Sequence, residues 1–296
     1  MPIHHIFLAL LVVVVWGINF LFVKFALDEV SPLLLCAIRF ILASIPAIFF
    51  IKRPAVPFMM LASYGITMFA LQFSLLFLGM SLGMTPGMAS LIIQVQVFIS
   101  MFFVAILLKE APTFWQILGA LIAFAGIGVV AFHLDSNISL LGFICVLAAA
   151  ASWGGGNYIT KKLKNVNMIA LVIWGSFISA FPMLLLSLLF EGTASITYTM
   201  QNLSSLGMIS IAYIVCISTW VGYGLWNWLL SRHPVGTVVP FTLLVPIVGI
   251  LSSVLILSEP FQLWKLLAGS LVISGLCINL FGARIFMVKN TGLKRI

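Results

Sequence analysis

Few polar side chains interrupt this sequence. Those that do so inside long apolar runs are the ones able to meet a small molecule: Asn19, Arg39, Gln72, Gln94, Gln96, Asn157, Tyr223, Asn227 and Thr242. Polar groups in such surroundings are costly and face an interior or a cavity. The amides and the phenol supply both donors and acceptors, and Arg39 supplies a planar fork that fits a carboxylate. Trp16, Trp153, Trp174, Trp220 and Trp226 supply aromatic walls. The set is chemically adequate for a small polar solute: donors for an anionic group, acceptors for a cationic one and an apolar wall for the rest. Trp16, Asn19, Arg39, Gln72, Gln96, Asn157, Tyr223 and Asn227 are therefore the candidate substrate-binding residues. The same amides could instead join helix to helix, at about 0.6 kcal/mol per contact. Arg39 could instead tie to backbone carbonyls or to Glu259.

Other chemistries find little support. Asp28, Glu29, Glu110, Asp135, Glu191 and Glu259 all lie at the ends of apolar runs or between them, so a buried carboxylate relay is missing. Export down a metabolite gradient and exchange against protons both remain open. No G-x-x-x-x-G-K-S/T loop for ATP is present. Cys36, Cys145, Cys216 and Cys277 stand singly within apolar runs, the pattern of small buried thiols and not of a metal site or disulfide framework. No cofactor and no metal are expected. Gly79-Met80-Ser81-Leu82-Gly83 spells G-x-S-x-G, with His133 near the same face. A nucleophile elbow, however, needs a strand-to-helix turn, and this run ends an apolar helix. The chain is read as no enzyme. A channel-like facilitator and an intramembrane serine hydrolase using Ser81 are the alternatives to a carrier.

What must position these groups is a scaffold solvated by lipid. Of 296 residues, 63% are hydrophobic and 7% charged, against about 25% charged in soluble domains. The apolar runs continue for about twenty residues, the length of a membrane helix, without the alternation of a membrane β-barrel. The spacing predicts ten spans, at 6–25, 32–51, 58–80, 87–108, 113–133, 139–159, 167–190, 204–228, 236–257 and 263–286. The breaks are mostly short, which makes neighbours antiparallel. The fold class is an all-α polytopic membrane protein. A net charge of +8 does not indicate a nucleic-acid partner, because the cations are spread singly between apolar runs. With the N-terminus in the cytoplasm, Lys52, Arg53, Lys109, Lys161, Lys162, Lys164, Arg232, Arg284, Lys289, Lys294 and Arg295 fall inside. Only Lys24 and Lys265 fall outside. The positive-inside rule thus places both termini in the cytoplasm. Met1–His5 carries no Lys or Arg and no cleavage pattern follows, so the first run reads as a membrane helix and not a signal peptide.

The sequence also repeats itself. Glu110, Trp115, Gly126 and Phe132 match Glu259, Trp264, Gly275 and Phe281 at one common offset. W-G-I-N-F-L-F-V-K from Trp16 to Lys24 matches W-G-G-G-N-Y-I-T-K from Trp153 to Lys161. The chain reads as two five-span repeats, 1–135 and 136–296. Because five is odd, the second enters the membrane inverted. Inverted repeats suit a secondary transporter with its site at the repeat interface. Lys24 and Glu259 then share the outer face, and Glu110 and Lys161 the inner one. Each pair is a candidate gate latch, unless the charges merely cap helices or bind lipid phosphate. Gly79, Gly83 and Gly87 form a small-residue stripe for close backbone approach. Pro240 and Pro246 permit a kink in the ninth span.

At L-A-L-L-V-V-V-V-W-G-I-N-F, P-L-L-L-C-A-I-R-F and L-V-P-I-V-G the chain resembles the EamA branch of the drug/metabolite transporter superfamily. The resemblance covers both repeats. It implies a ten-helix transporter of the cell inner membrane that exports small metabolites, similar to the amino-acid-metabolite exporters for O-acetylserine and cysteine. The partners expected are a small-molecule substrate and the lipid bilayer, with the chain acting as a monomer or homodimer.

Overall fold

The structure is a computed structural model. It describes the backbone of residues 1–133, 139–163, 166–233, 238–260 and 262–292, and their side chains except at 227, 230–231, 239–240 and 283–292. Among the described residues all regular structure is helical: α1 (Ile3–Leu27), α2 (Pro32–Ile48), α3 (Phe58–Ser81), α4 (Pro86–Leu108), α5 (Phe114–Phe132), α6 (Leu140–Lys162), α7 (Met168–Phe190), α8 (Gly192–Asn202), α9 (Ser205–Arg232), α10 (Val239–Leu257) and α11 (Leu263–Gly292). Among these, eight are long and apolar enough to cross a membrane. Two shorter apolar helices, Pro32–Ile48 and Phe241–Leu257, accompany them. The break at 191–202 is not a loop but α8, whose sequence G-T-A-S-I-T-Y-T-M-Q-N is too polar for an apolar-run search to find.

Local chemistry sets the helix starts. Pro32 and Pro86 open α2 and α4, where the missing N–H is no loss. Thr113 and Gln116 form a reciprocal capping box at α5. Asn167 Oδ1 accepts from the N–H groups of Ile169 and Ala170 at 3.0 and 3.1 Å. The outward faces are apolar: Phe7 and Leu11 on α1, Leu121 and Phe124 on α5, Leu251 and Leu255 on α10. Large exposed apolar surface of this kind requires a lipid solvent.

Four helices are irregular. α3 passes through a π-helical stretch at Ile66–Leu71 and α9 through another at Tyr213–Gly222. α4 tightens to a 3-10 turn at Ile93–Val95, and α10 begins as one at Val239–Leu244. Pro246 stands directly after that turn, while the side chain of Pro240 lies outside the described residues. α4 and α10 both end on a left-handed residue, Lys109 (φ 56°) and Ser258 (φ 53°).

Small residues govern the close crossings. α5 packs along α11, and a Cβ on either Gly119 or Gly275 would collide with the other's carbonyl oxygen. α2 packs on α7, α3 on α6, and α1 on α9 and α10. The glycine stripe divides in role. Gly79 lies against Gly142 and Val146 of α6, and Gly87 against Ile250 of α10. Gly83 serves a turn instead: at φ +106° it ends α3, with Met84 N–H donating to Gly79 O at 3.0 Å and Gly83 N–H to Met80 O at 3.2 Å. Cys36 and Cys145 are buried, but Cys216 is exposed, contrary to expectation, because its side of α9 faces outward.

Three carboxylates sit at helix starts where backbone N–H groups await an anion. Glu191 accepts from Leu33 and Leu34 N–H at the start of α2, at 2.8 and 2.9 Å. Glu29 accepts from Ser204 N–H at 2.7 Å, at the start of α9. Glu259 accepts from the hydroxyl of Thr85, the cap of α4, at 2.7 Å.

Candidate functional site

Between α1, α2, α3, α4, α6, α9 and α10 lies a central cavity of about 280 Å³. Trp16, Asn19, Arg39, Gln72, Gln96, Asn157 and Tyr223 all line it. These seven arrive from six helices spread along the chain, and the irregular turns of α3, α4, α9 and α10 flank them. Asn227 belongs to the same candidate set, but its side chain lies outside the described residues.

Arg39 is 3% exposed. Its Nη2 donates to Thr219 Oγ1 at 3.4 Å, and its guanidinium carbon stands 4.1 Å from the centroid of the Phe73 ring. Nε and Nη1 meet no protein acceptor. Among the described residues neither a carboxylate nor a backbone carbonyl bonds it, and Glu259 pairs elsewhere, so the structural tie to Glu259 is not formed. Asn19, 8% exposed, likewise leaves its Oδ1 without a protein donor. The cavity wall thus presents unpaired donors at one place and an unpaired acceptor at another, although buried polar atoms are ordinarily satisfied.

Other members of the set are bonded to protein. Trp16 Nε1 donates to Ser218 O at 3.1 Å, and its ring stands 5.3 Å from both Tyr223 and Trp226. Asn157 Nδ2 donates to Gln96 Oε1 at 2.7 Å and to Ser100 Oγ at 3.0 Å. Gln94 Nε2 donates to Thr242 O at 3.2 Å, bridging α4 and α10. The remaining wall is apolar, including Phe20, Phe73 and Trp153.

The two expected latches fare differently. Lys161 is paired with Glu110, joining α6 to the end of α4. Lys24 is not paired with Glu259. It pairs with Asp28, one turn further along α1, a partner within reach without any tertiary arrangement. Glu259 pairs instead with Lys265 at 2.6 Å, and its other oxygen takes the Ser253 hydroxyl. That pair is buried, at 7% and 9% side-chain exposure. Sequence reasoning had placed Lys265 only as an outer cation.

Ser81 donates its hydroxyl to Leu78 O at 2.9 Å. His133 lies stacked on Trp264 with its Nδ1 at Val129 O. Neither is positioned as a nucleophile–base pair. Thr219 and Ser218 were missed by the sequence reading, since hydroxyls in an apolar helix ordinarily bond their own backbone. So was a contact between His5 and His233, whose ring nitrogens meet at 2.6 Å and tie the start of α1 to the end of α9. Two lone histidines so far apart in sequence carry no spacing signal.

The EamA-like transporter family model matches residues 4–132 and, a second time, residues 140–281. The chain belongs to the EamA-like transporter family. This EamA-like chain is 40% identical over 285 residues to a protein of Salmonella typhimurium named "Probable amino-acid metabolite efflux pump", covering 94% of this chain and 95% of that one. A protein of the same name from Escherichia coli is 39% identical over 285 residues, with the same coverage. An "Uncharacterized transporter YoaV" of Bacillus subtilis is 25% identical over 281 residues, 91% of this chain and 94% of that one. A solved crystal structure superposes with a TM-score of 0.65 at 16% identity, covering 96% of this chain and 98% of that one; it shares the fold. The family is one of membrane transporters, not of enzymes, and the bilayer is where this chain resides.

Proposed function

We propose that this EamA-like transporter exports amino acids or their derivatives across the inner membrane, by alternating access through the central cavity. Arg39 carries the reading. A guanidinium buried in an apolar bundle, with Nε and Nη1 free of protein acceptors and a cavity beside it, is poised for an anionic ligand. A substrate carboxylate takes those two donors. Its ammonium takes Asn19 Oδ1, and its side chain lies among Trp16, Phe20 and Phe73. Gln72, Gln96, Asn157, Tyr223 and Asn227 complete the recognition set. The name shared by the relatives at 40% and 39% identity agrees with this ligand class.

The machinery is read as ten spans in two inverted repeats, 1–135 and 136–296, with both termini in the cytoplasm and α8 lying at the outer surface. Several observations support it. The family model matches twice. The backbone irregularities recur in order: π turns in α3 and α9, 3-10 turns in α4 and α10, left-handed ends at Lys109 and Ser258. The close contacts pair up as well, Gly17 on Val248 with Gly154 on Ile99, and Gly126 on Ala268 with Gly275 on Gly119. A two-fold axis in the membrane plane exchanges the members of each couple. The Lys161–Glu110 pair is then the cytoplasmic latch between the halves. On the outer face the halves are held by Glu29, Glu191 and Glu259 at the helix starts they cap. The site lies within one chain, so a monomer or each member of a homodimer suffices.

Purified protein in liposomes loaded with unlabelled O-acetyl-L-serine should accumulate the radiolabelled compound by counterflow, and the flux should saturate. Uptake that rises linearly with concentration and shows no counterflow would point to a pore.

A further inference from the structure

Lys161 and Glu110 border a second cavity. It is a recess of about 360 Å³ between α4, α5, α6 and α11, more open than the central cavity. Asn157 lines both. Its Nδ2 bonds Gln96 Oε1, on the wall of the central cavity, and Ser100 Oγ, on the wall of the recess. The two spaces thus lie in line, divided by one bridge of polar side chains that crosses from α6 to α4. On the far wall, Asn279 of α11 offers an amide whose Nδ2 meets the Met101 sulfur at 3.9 Å, a weak acceptor.

We propose that this recess is a second substrate site, a loading site for the zwitterionic form of the amino acid on its way to Arg39. The inference rests on the exporter reading and on its cytoplasmic orientation. Both side chains of the ion pair are about half exposed, 44% for Lys161 and 56% for Glu110, and a pair of that kind is weak. A zwitterion inserts into it without leaving either charge alone: its carboxylate replaces Glu110 at Lys161, and its ammonium replaces Lys161 at Glu110. Asn279 adds a donor to the carboxylate. A plain anion meets the Glu110 carboxylate, and a plain cation meets the Lys161 ammonium, so both are turned away. The central cavity has no paired charges of this type among the described residues, and there the ammonium meets only the neutral Asn19 Oδ1. Selection for the ammonium therefore falls largely on the recess. Passage inward uses groups already present. The ammonium donates to Ser100 Oγ and Gln96 Oε1, the same acceptors that Asn157 holds, so the bridge opens as its bonds are exchanged.

The test is binding stoichiometry. Radiolabelled O-acetyl-L-serine is titrated into the full-length protein in lipid nanodiscs, alongside counterflow in liposomes. Two equivalents per chain are expected. Lys161→Gln and Glu110→Gln should each retain one, and Arg39→Met should also retain one. N-acetyl-L-serine, which has the carboxylate but no ammonium, should displace one equivalent of the two. If the wild type binds a single equivalent that Arg39→Met abolishes and Lys161→Gln leaves intact, the recess is no binding site and the exporter reading stands. If Lys161→Gln changes flux while the stoichiometry stays at two, the pair is a latch alone and the loading site is refuted. Absence of both binding and counterflow in the wild type would remove the exporter reading and this inference together.

Discussion

Replacing the Arg39 guanidinium with a thioether of similar length separates its two possible roles. A buried charge without a counter-ion destabilises the empty protein, and apolar substitution of such a group is often neutral or stabilising. Arg39→Met should therefore raise the thermal midpoint, while counterflow falls by at least about tenfold, the equivalent of about 1.4 kcal/mol in carboxylate recognition. A lower midpoint would mark Arg39 as a structural tie. Asn157 sits in the opposite situation, since its amide is bonded. Asn157→Leu strips Gln96 Oε1 of its short donor and leaves it only the Ser100 hydroxyl at 3.4 Å, at a cost of about 1–3 kcal/mol, and should lower both the midpoint and the flux. Much of the site was legible at this scale because a polar group in an apolar run has few places to go. Polar type and depth sufficed to nominate Asn19, Arg39 and Gln72. Partners were harder. Charge counting places Lys24 and Glu259 on one face but says nothing of Asp28, four residues from Lys24, or of Lys265, six from Glu259. Ordinary proximity along the chain decided both.

Among the elements, α5 and α11 hold each other through Gly119 and Gly275, and their described residues contribute nothing to the central cavity wall. Gly119→Leu should overpack that crossing and cost about 1–3 kcal/mol, read as a lower thermal midpoint with unchanged affinity at the central site. An affinity loss of more than about threefold would show that the peripheral pair shapes the cavity. Hydropathy located the apolar helices because burial in lipid requires about twenty apolar residues whatever their order. It could not locate α8, whose side chains are mostly polar. Nor could it locate the π turns of α3 and α9, which arise from hydrogen-bond register and leave composition unchanged.

For the molecule as a whole, the topology proposed from the cations and the repeats is one that reporters can read. Gly192 is suited to an inserted reporter, because it stands between α7 and α8 at φ +77° with open space where a side chain would be. A periplasm-active reporter should give signal at Gly192 and none at Gly292; a cytoplasmic signal at Gly192 would overturn the threading. Trp, Gly, Glu and Lys at fixed offsets signal a repeat in the sequence, and the family model matches twice. The matched π turns were not legible there, since hydrogen-bond register leaves no shared letters.

Cys216 gives the native chain a practical handle. It lines an outward, apolar hollow with Ile38 and Leu42 of α2, beside Trp220, whose Nε1 donates to Ala43 O at 3.0 Å across the same seam. Cys36 and Cys145 are shut inside the bundle. A maleimide that dissolves in hydrocarbon can reach the Cys216 thiol, whereas a sulfonated one confined to water cannot. A dye attached there would sit against the quenching indole of Trp220, and its brightness would report any change in the separation of α2 from α9 in a wild-type molecule.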